Sequence, residues 1–436
     1  MSKRFIVSPG GKLSGSMQVP GDKSMSHRSV IFGALAEGTT HVSGLLEGED
    51  VLATIAAFRA MGVNIEGPDE GRLVIHGAGL HGLQKPQHDL DMGNSGTAMR
   101  LLSGLLSGQS FATRLIGDES LSVRPMRRIV DPLSEMGAKI STAEGGTPPL
   151  QIEPTDSLHA INYQMPMASA QVKSCLLLAG LYAEGKTCVT EPAPTRDHTE
   201  RMLRGFGYPV TSDGARICLE PGFRLAATDM MVPGDISSAA FFIVGATIAK
   251  DSRVEIKNVG INPTRTGILF ILKQMGADIE LKNERTIGGE PVADLVVQSA
   301  PLHGIHIDEK HVPLAIDEFP AILVAAACAS GETVLSRAEE LRVKESDRIA
   351  VMARGLAKIG IDVIETPDGM RVQGGQIQGG AVDSHGDHRI SMAFAMAALQ
   401  SNAEIQIDDC DNVATSFPDF QALAGSCGLG IRVINT

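Results

Sequence analysis

Six times along this chain an amphipathic helical pattern runs into a glycine, and each time a short β-like run follows. The stretches are Asp50 to Gly62, Met126 to Gly137, His198 to Gly207, Thr266 to Gly276, Asp347 to Gly360 and Pro418 to Gly428. Within them apolar residues recur at helical spacing, as at Ile268, Ile271, Leu272 and Met275. The closing glycine suits the left-handed residue just beyond a helix end. Ahead of each stretch lies a second helical pattern, Ala-rich and apolar almost all round, at 24–37, 94–107, 168–184, 235–249, 316–330 and 387–401. A helix without a polar face has to be buried on every side. Strand-like runs such as Thr39–Ser43 and Thr187–Thr190 connect the two kinds of helix.

The chain therefore reads as six copies of one α/β unit, each roughly seventy residues long. Its 436 residues exceed one ordinary core, so three copies are expected in each of two domains. Val232-Pro-Gly-Asp235 lies between the third and fourth copies and has hinge-like composition. Periodicity alone is equally compatible with a purely structural solenoid.

Aromatic residues make up 4% of the chain and Trp is absent, which leaves Ala, Gly, Leu, Ile and Val to fill the cores. Hydrophobic residues at 43% and charged residues at 20% describe an ordinary globular protein. The net charge of -13 argues against nucleic acid, which is held mainly by cations on phosphates. It leaves room for a local cation cluster around a small anion. Six Cys residues show neither C-x-x-C pairs nor metal-ligand spacing, so six buried, reduced thiols are expected. The N-terminal apolar run is too short for a signal peptide, and the best apolar run, Ala239 to Ala249, stops at Lys250. A cytoplasmic protein with no membrane partner is the expectation.

Polar residues concentrate at the starts of the helical patterns. The apolar ones open on Asp22-Lys23-Ser24-Met25-Ser26-His27-Arg28, on Gly93 to Arg100, on Ala168 to Lys173, on Asp235 to Ser238, on Asp317-Glu318 and on Asp387-His388-Arg389. The amphipathic ones open on Arg124, Arg196-Asp197, Arg265 and Lys344-Glu345-Ser346-Asp347-Arg348. Helix N-termini carry orphan N–H groups and partial positive charge, so they attract anions. If the repeats are symmetric these ends converge into one positive pocket. Residue by residue, plain explanations compete: Asp235, Ser237 and Ser238 suit helix caps, and an isolated Arg is usually solvated or paired. His198 and His388 have no second His at ligand spacing, so no metal is expected.

Pro20-Gly-Asp-Lys-Ser-Met-Ser-His-Arg28, Gly93-Asn-Ser-Gly-Thr-Ala-Met-Arg100, Arg124-Pro-Met126, Leu341-Arg-Val-Lys-Glu-Ser-Asp-Arg348 and Asp387-His-Arg389 closely resemble the motifs of the 5-enolpyruvylshikimate-3-phosphate (EPSP) synthase family. Met167 to Lys173 and Thr195 to Glu200 resemble its class II bacterial branch, and the likeness spans essentially the whole chain. It implies the enolpyruvyl transferase fold, a two-domain inside-out α/β barrel of six βαβαββ repeats. Residues 1–20 plus 234–436 would form one domain and 21–233 the other, with the active site in the cleft between them.

The resemblance implies transfer of the enolpyruvyl group of phosphoenolpyruvate to the 5-hydroxyl of shikimate-3-phosphate, without cofactor or metal, by a monomer sensitive to glyphosate. It implies that Lys23, Ser24, Arg28, Ser169, Ala170, Gln171, Arg196, Asp317 and Lys344 contact shikimate-3-phosphate. Phosphoenolpyruvate would fall to Lys23, Asn94, Gly96, Arg124, Gln171, Arg348 and Arg389. Planar Arg forks suit its carboxylate and phosphate. Asp317, Glu345 and Lys23 are the candidate catalytic residues. Two positions depart from the family pattern: Thr415 stands near Phe417-Pro418 where the other branch has a Lys, and Glu340 stands where an Asn is usual. The alternatives are the sister enzyme acting on UDP-N-acetylglucosamine and a non-catalytic anion-binding repeat protein. The first usually carries a reactive Cys in the stretch equivalent to Gly117–Arg124, which has none here.

Overall fold

All six closing glycines adopt the left-handed backbone that the helical pattern demands, with φ from 79° at Gly207 to 115° at Gly428. The structure is a computed structural model and describes residues 3–435. The chain divides into two compact units, Gly21–Val232 and the combination of Met1–Pro20 with Pro233–Thr436. Each has its own apolar core.

In the unit Gly21–Val232 the helices are α1 (Lys23–Leu35), α2 (Glu49–Ala60), α3 (Gly96–Leu106), α4 (Glu119–Ser122), α5 (Arg127–Glu135), α6 (Ala170–Gly180) and α7 (His198–Gly205). Helices α1, α3 and α6 are buried nearly end to end, whereas α2, α5 and α7 keep a solvent face. The other unit repeats the alternation: α8 (Ile236–Ile248), α10 (Phe319–Ala327) and α12 (His388–Ala397) are the buried helices. There α9 (Gly267–Gln274), α11 (Arg348–Lys358) and α13 (Phe420–Ser426) are amphipathic. Every residue of α8 and α10 is buried. Hydroxyls trapped in these helices donate to the carbonyl one turn back, Ser29 to Met25 and Ser103 to Met99 at 2.8 Å and Thr247 to Ile243 at 2.7 Å. These hydroxyls thereby keep a partner within their own helix.

One pairing pattern recurs in the sheets. Glu37–Ser43 has Met230–Met231 parallel on one side and Arg72–Ala78 antiparallel on the other, followed by antiparallel Asn64–Asp69. Thr113–Ile116, Thr187–Thr190, Arg253–Gly260 and Ile405–Asp408 occupy the same place in their own four-stranded sheets. The sheet of Glu332–Leu335, Gly369–Gln373 and Asp362–Thr366 has three strands.

Expectation and structure part at the cysteines. Cys175, Cys328, Cys410 and Cys427 are free thiols, but Cys188 and Cys218 form a disulfide. They are directly opposed on antiparallel strands with Cα atoms 4.1 Å apart, a proximity set by strand register that sequence spacing does not reveal.

Helices α3 and α6 approach at Gly104, where an added Cβ would stand 2.0 Å from the Cys175 carbonyl oxygen. Relief requires backbone movement, so Gly104→Ala is expected to destabilise by about 1–3 kcal/mol and lower the urea midpoint. An unchanged midpoint would mean that the two helices separate without cost.

Candidate functional site

Capping explains why the polar residues stand where they do. Asp22 accepts from the Met25 amide at 2.8 Å, Ser95 from Ala98 at 3.1 Å and Ser169 from Val172 at 3.4 Å, opening α1, α3 and α6. Asp235 caps α8 through the Ser237 amide at 2.9 Å and also pairs with buried Arg265 at 3.0 Å. The capping reading of Asp235 therefore holds.

These caps aim a group of cations within the unit Gly21–Val232. Lys23 Nζ lies 2.6 Å from Asp50 Oδ2. Arg28 is buried and donates to the Ser24 carbonyl at 2.9 Å, to Thr199 at 2.7 Å and to Ser174 at 2.8 Å. Arg124 donates to Asn94 Oδ1 at 2.8 Å and to Ser120 at 3.2 Å. Asn94 donates onward to Asp118 at 2.8 Å. Arg100 donates to Gln171 Oε1, and Gln171 donates to Thr97 at 3.0 Å. A methyl group at Gly96 would stand 3.1 Å from Arg100 Nη1 and 3.4 Å from Arg124 Nη1. Asn94, Gly96, Arg124 and Gln171 are thus one neighbourhood, which includes Arg100. Ala170 opens α6, and Arg196 sits two residues ahead of α7.

The other unit gathers Asp317, Lys344, Glu345, Arg348 and Arg389. Arg348 is buried and meets three carboxylates: Asp317 at 3.2 Å, Asp387 at 2.8 Å and Glu345 Oε2. Burial works against its charge, yet Asp387, Glu345 and Asp317 raise its pKa above the ordinary arginine value. Lys344 Nζ is 3.6 Å from Asp317 and 3.8 Å from Glu340. Glu340 thereby shares Lys344 with Asp317. Arg389 donates to the Asp317 carbonyl oxygen at 3.1 Å. Thr415 is buried and donates to the Asn412 carbonyl at 2.7 Å.

Asp50, Arg100 and Asp387 join the two groups although the sequence motifs assign them no ligand. The signal for two of them was present, because Arg100 closes the Gly93–Arg100 motif and Asp387 opens Asp387-His-Arg389. Asp50 carried none beyond its place at the start of a helix. Among the described residues, no three or more His, Cys, Asp and Glu side chains gather to hold a metal ion, and no helix is long and apolar enough to cross a membrane.

Residues 7–423 match the family model for EPSP synthase (3-phosphoshikimate 1-carboxyvinyltransferase). The chain belongs to the EPSP synthase family. A 3-phosphoshikimate 1-carboxyvinyltransferase of Methylococcus capsulatus is 65% identical over 429 residues, covering 98% of each chain. One from Alkalilimnicola ehrlichii is 63% identical over 428 residues, covering 98% of this chain and 96% of its own. An EPSP synthase structure from Acinetobacter baumannii superimposes with a TM-score of 0.91 at 57% identity, covering all of both chains. Family membership carries the enolpyruvyl transferase fold with it.

One buried group beside these cations gives a pH signature. His27 is enclosed in α1 with Nδ1 2.8 Å from Thr54 Oγ1. Burial, then Lys23 and Arg28, push its pKa well below 6.5, against a smaller opposing effect of Asp22. The unfolded chain therefore binds the extra proton first. Stability from neutral His27 is complete above pH 6.5 and drains as pH falls through that value. Urea titrations at about pH 7.5 and about pH 5.5 should show a smaller acid loss in His27→Asn than in the wild type. Equal losses would exclude this proton.

Proposed function

We propose that the Gly21–Val232 cations and the Asp317–Lys344–Arg348–Arg389 cluster hold two phosphorylated substrates in one cleft, closing around them as two three-repeat domains. The chain is an enzyme that moves the enolpyruvyl group of phosphoenolpyruvate onto the 5-hydroxyl of shikimate-3-phosphate and releases phosphate, a step in aromatic amino acid biosynthesis. The observation that carries the residue assignment is the gathering of family-motif cations at buried helix starts within each unit, with Asp317 and Glu345 directly on Arg348.

Shikimate-3-phosphate is assigned to Lys23, Ser24, Arg28, Ser169, Ala170, Gln171, Arg196, Asp317 and Lys344. Phosphoenolpyruvate is assigned to Lys23, Asn94, Gly96, Arg124, Gln171, Arg348 and Arg389. Guanidinium forks match its carboxylate and phosphate, and each charge-assisted bond contributes about 1.5–3 kcal/mol. Asp317, aided by Lys23, takes the proton of the 5-hydroxyl while Glu345 protonates C3 of phosphoenolpyruvate. The oxygen–C2 bond forms and a tetrahedral ketal results. Loss of the C3 proton then expels phosphate and restores the double bond. The chain works as a cytoplasmic monomer in this reading.

Phosphate release should require both substrates and should not occur with UDP-N-acetylglucosamine in place of shikimate-3-phosphate. Glu345→Gln should lower kcat about 10²–10⁴-fold with little change in either KM. Arg389→Met should raise the KM for phosphoenolpyruvate roughly tenfold or more. No release from the wild type with both substrates would defeat the reading. Glyphosate should compete with phosphoenolpyruvate, and Gly96→Ala should weaken it, because the added methyl crowds the Arg100 and Arg124 guanidiniums. Equal inhibition constants for the two proteins would remove the steric argument.

A further inference from the structure

A second ionic cluster lies in the unit Gly21–Val232, built from groups that the proposed chemistry does not use. Lys173 in α6 is 1% exposed, with Nζ 3.0 Å from Glu191 Oε1 and 2.7 Å from Glu200 Oε1 of α7. Glu200 is 2% exposed, and its second oxygen has no hydrogen-bond partner among the described residues. One buried ammonium thus faces two buried carboxyls. Burial raises the Glu191 pKa, against the smaller opposing effects of Lys173 and Thr195. Such an arrangement is a poor source of stability, since desolvating three charges offsets their attraction. What it does supply is fixed geometry.

The elements it joins are informative. Lys173 follows Ser169 and Gln171 on the first turns of α6. Glu191 opens the segment that leads through Thr195 and Arg196 into α7, and its amide donates to the Ala215 carbonyl at 2.9 Å. Thr195 Oγ1 donates to the same Glu191 oxygen that meets Lys173. At the far end Thr199 receives Arg28 at 2.7 Å. Segment 191–200 is therefore tied at both ends, and Arg196 sits one residue from the Thr195 tie.

We infer that Lys173 is a positioning residue that acts through Glu191, Thr195 and Glu200. It sets Arg196 against Ser169 and Gln171, so that the three receive one phosphorylated ligand. The inference rests on the assignment of shikimate-3-phosphate to those three residues and adds what holds them in register.

Glu191→Gln and Thr195→Val each remove one tie without deleting a ligand-binding group. Both should raise the KM for shikimate-3-phosphate roughly tenfold, the effect of one lost charge-assisted hydrogen bond, with kcat and the KM for phosphoenolpyruvate within about twofold. Amide hydrogen exchange over 191–200 should accelerate while α3 is unchanged, and Thr195→Ser should restore wild-type values. Lys173→Met strands two carboxyls and can fail to fold. Lys173→Met combined with Glu191→Gln and Glu200→Gln removes the charges together and should show the same KM split. An unmoved KM for shikimate-3-phosphate, or equal losses in kcat and both KM values, overturns the inference. A wild type that releases no phosphate sinks the parent reading and is recognised before any variant is made. In that event inorganic phosphate is the probe: it should slow exchange over 191–200 in the wild type and not in Thr195→Val, and equal protection in both overturns the inference.

Discussion

A helix buried on all sides can offer polar chemistry only at its ends. Six helices here, α1, α3, α6, α8, α10 and α12, are in that position. Their lengths are inert: hydroxyls return to the helix's own carbonyls, and Gly104 lets α3 come within contact of the α6 backbone. Capping side chains, cations and orphan N–H groups are therefore forced into the first turns. The same constraint that builds the cores places the reactive groups, because a charge anywhere else along these helices would be stranded in apolar surroundings.

Cations gathered in this way need partners before a ligand arrives. Arg348 is fully enclosed, and Asp317, Glu345 and Asp387 carry the compensation. Lys23 uses Asp50, and Lys344 divides itself between Asp317 and Glu340. An incoming phosphate or carboxylate then competes with protein carboxylates for the same donors. On the proposed assignment, binding is then weaker than the sum of the new contacts.

Much of the fold was legible because its signals are local. A glycine after an amphipathic run needs only its own φ to be read, and all six behave alike. The buried helices announced themselves through the absence of a polar face. Motif residues such as Asn94, Gly96 and Arg124 meet because the turns that carry them are themselves local signals. What escaped depends on register and tertiary approach. Cys188 faces Cys218 through strand pairing, and Lys173 finds Glu191 and Glu200 across separate elements. No spacing rule encodes such meetings. Arg100 and Asp387 were visible in their motifs, but their partners Gln171 and Arg348 come from other repeats.

The geometry also shows how the charged residues of each unit are held. Arg28 and Arg124 bond hydroxyl, amide and carbonyl oxygens among their contacts. Arg348 is matched by three carboxylates. A group compensated in this way fixes the position of Asp317 and Glu345. On the proposed assignment, proton transfer falls to Asp317 and Glu345, the carboxylates on Arg348. On that assignment a phosphorylated substrate with a hydroxyl to be deprotonated needs cations for its phosphate and a carboxylate for its proton, and the motif residues include both.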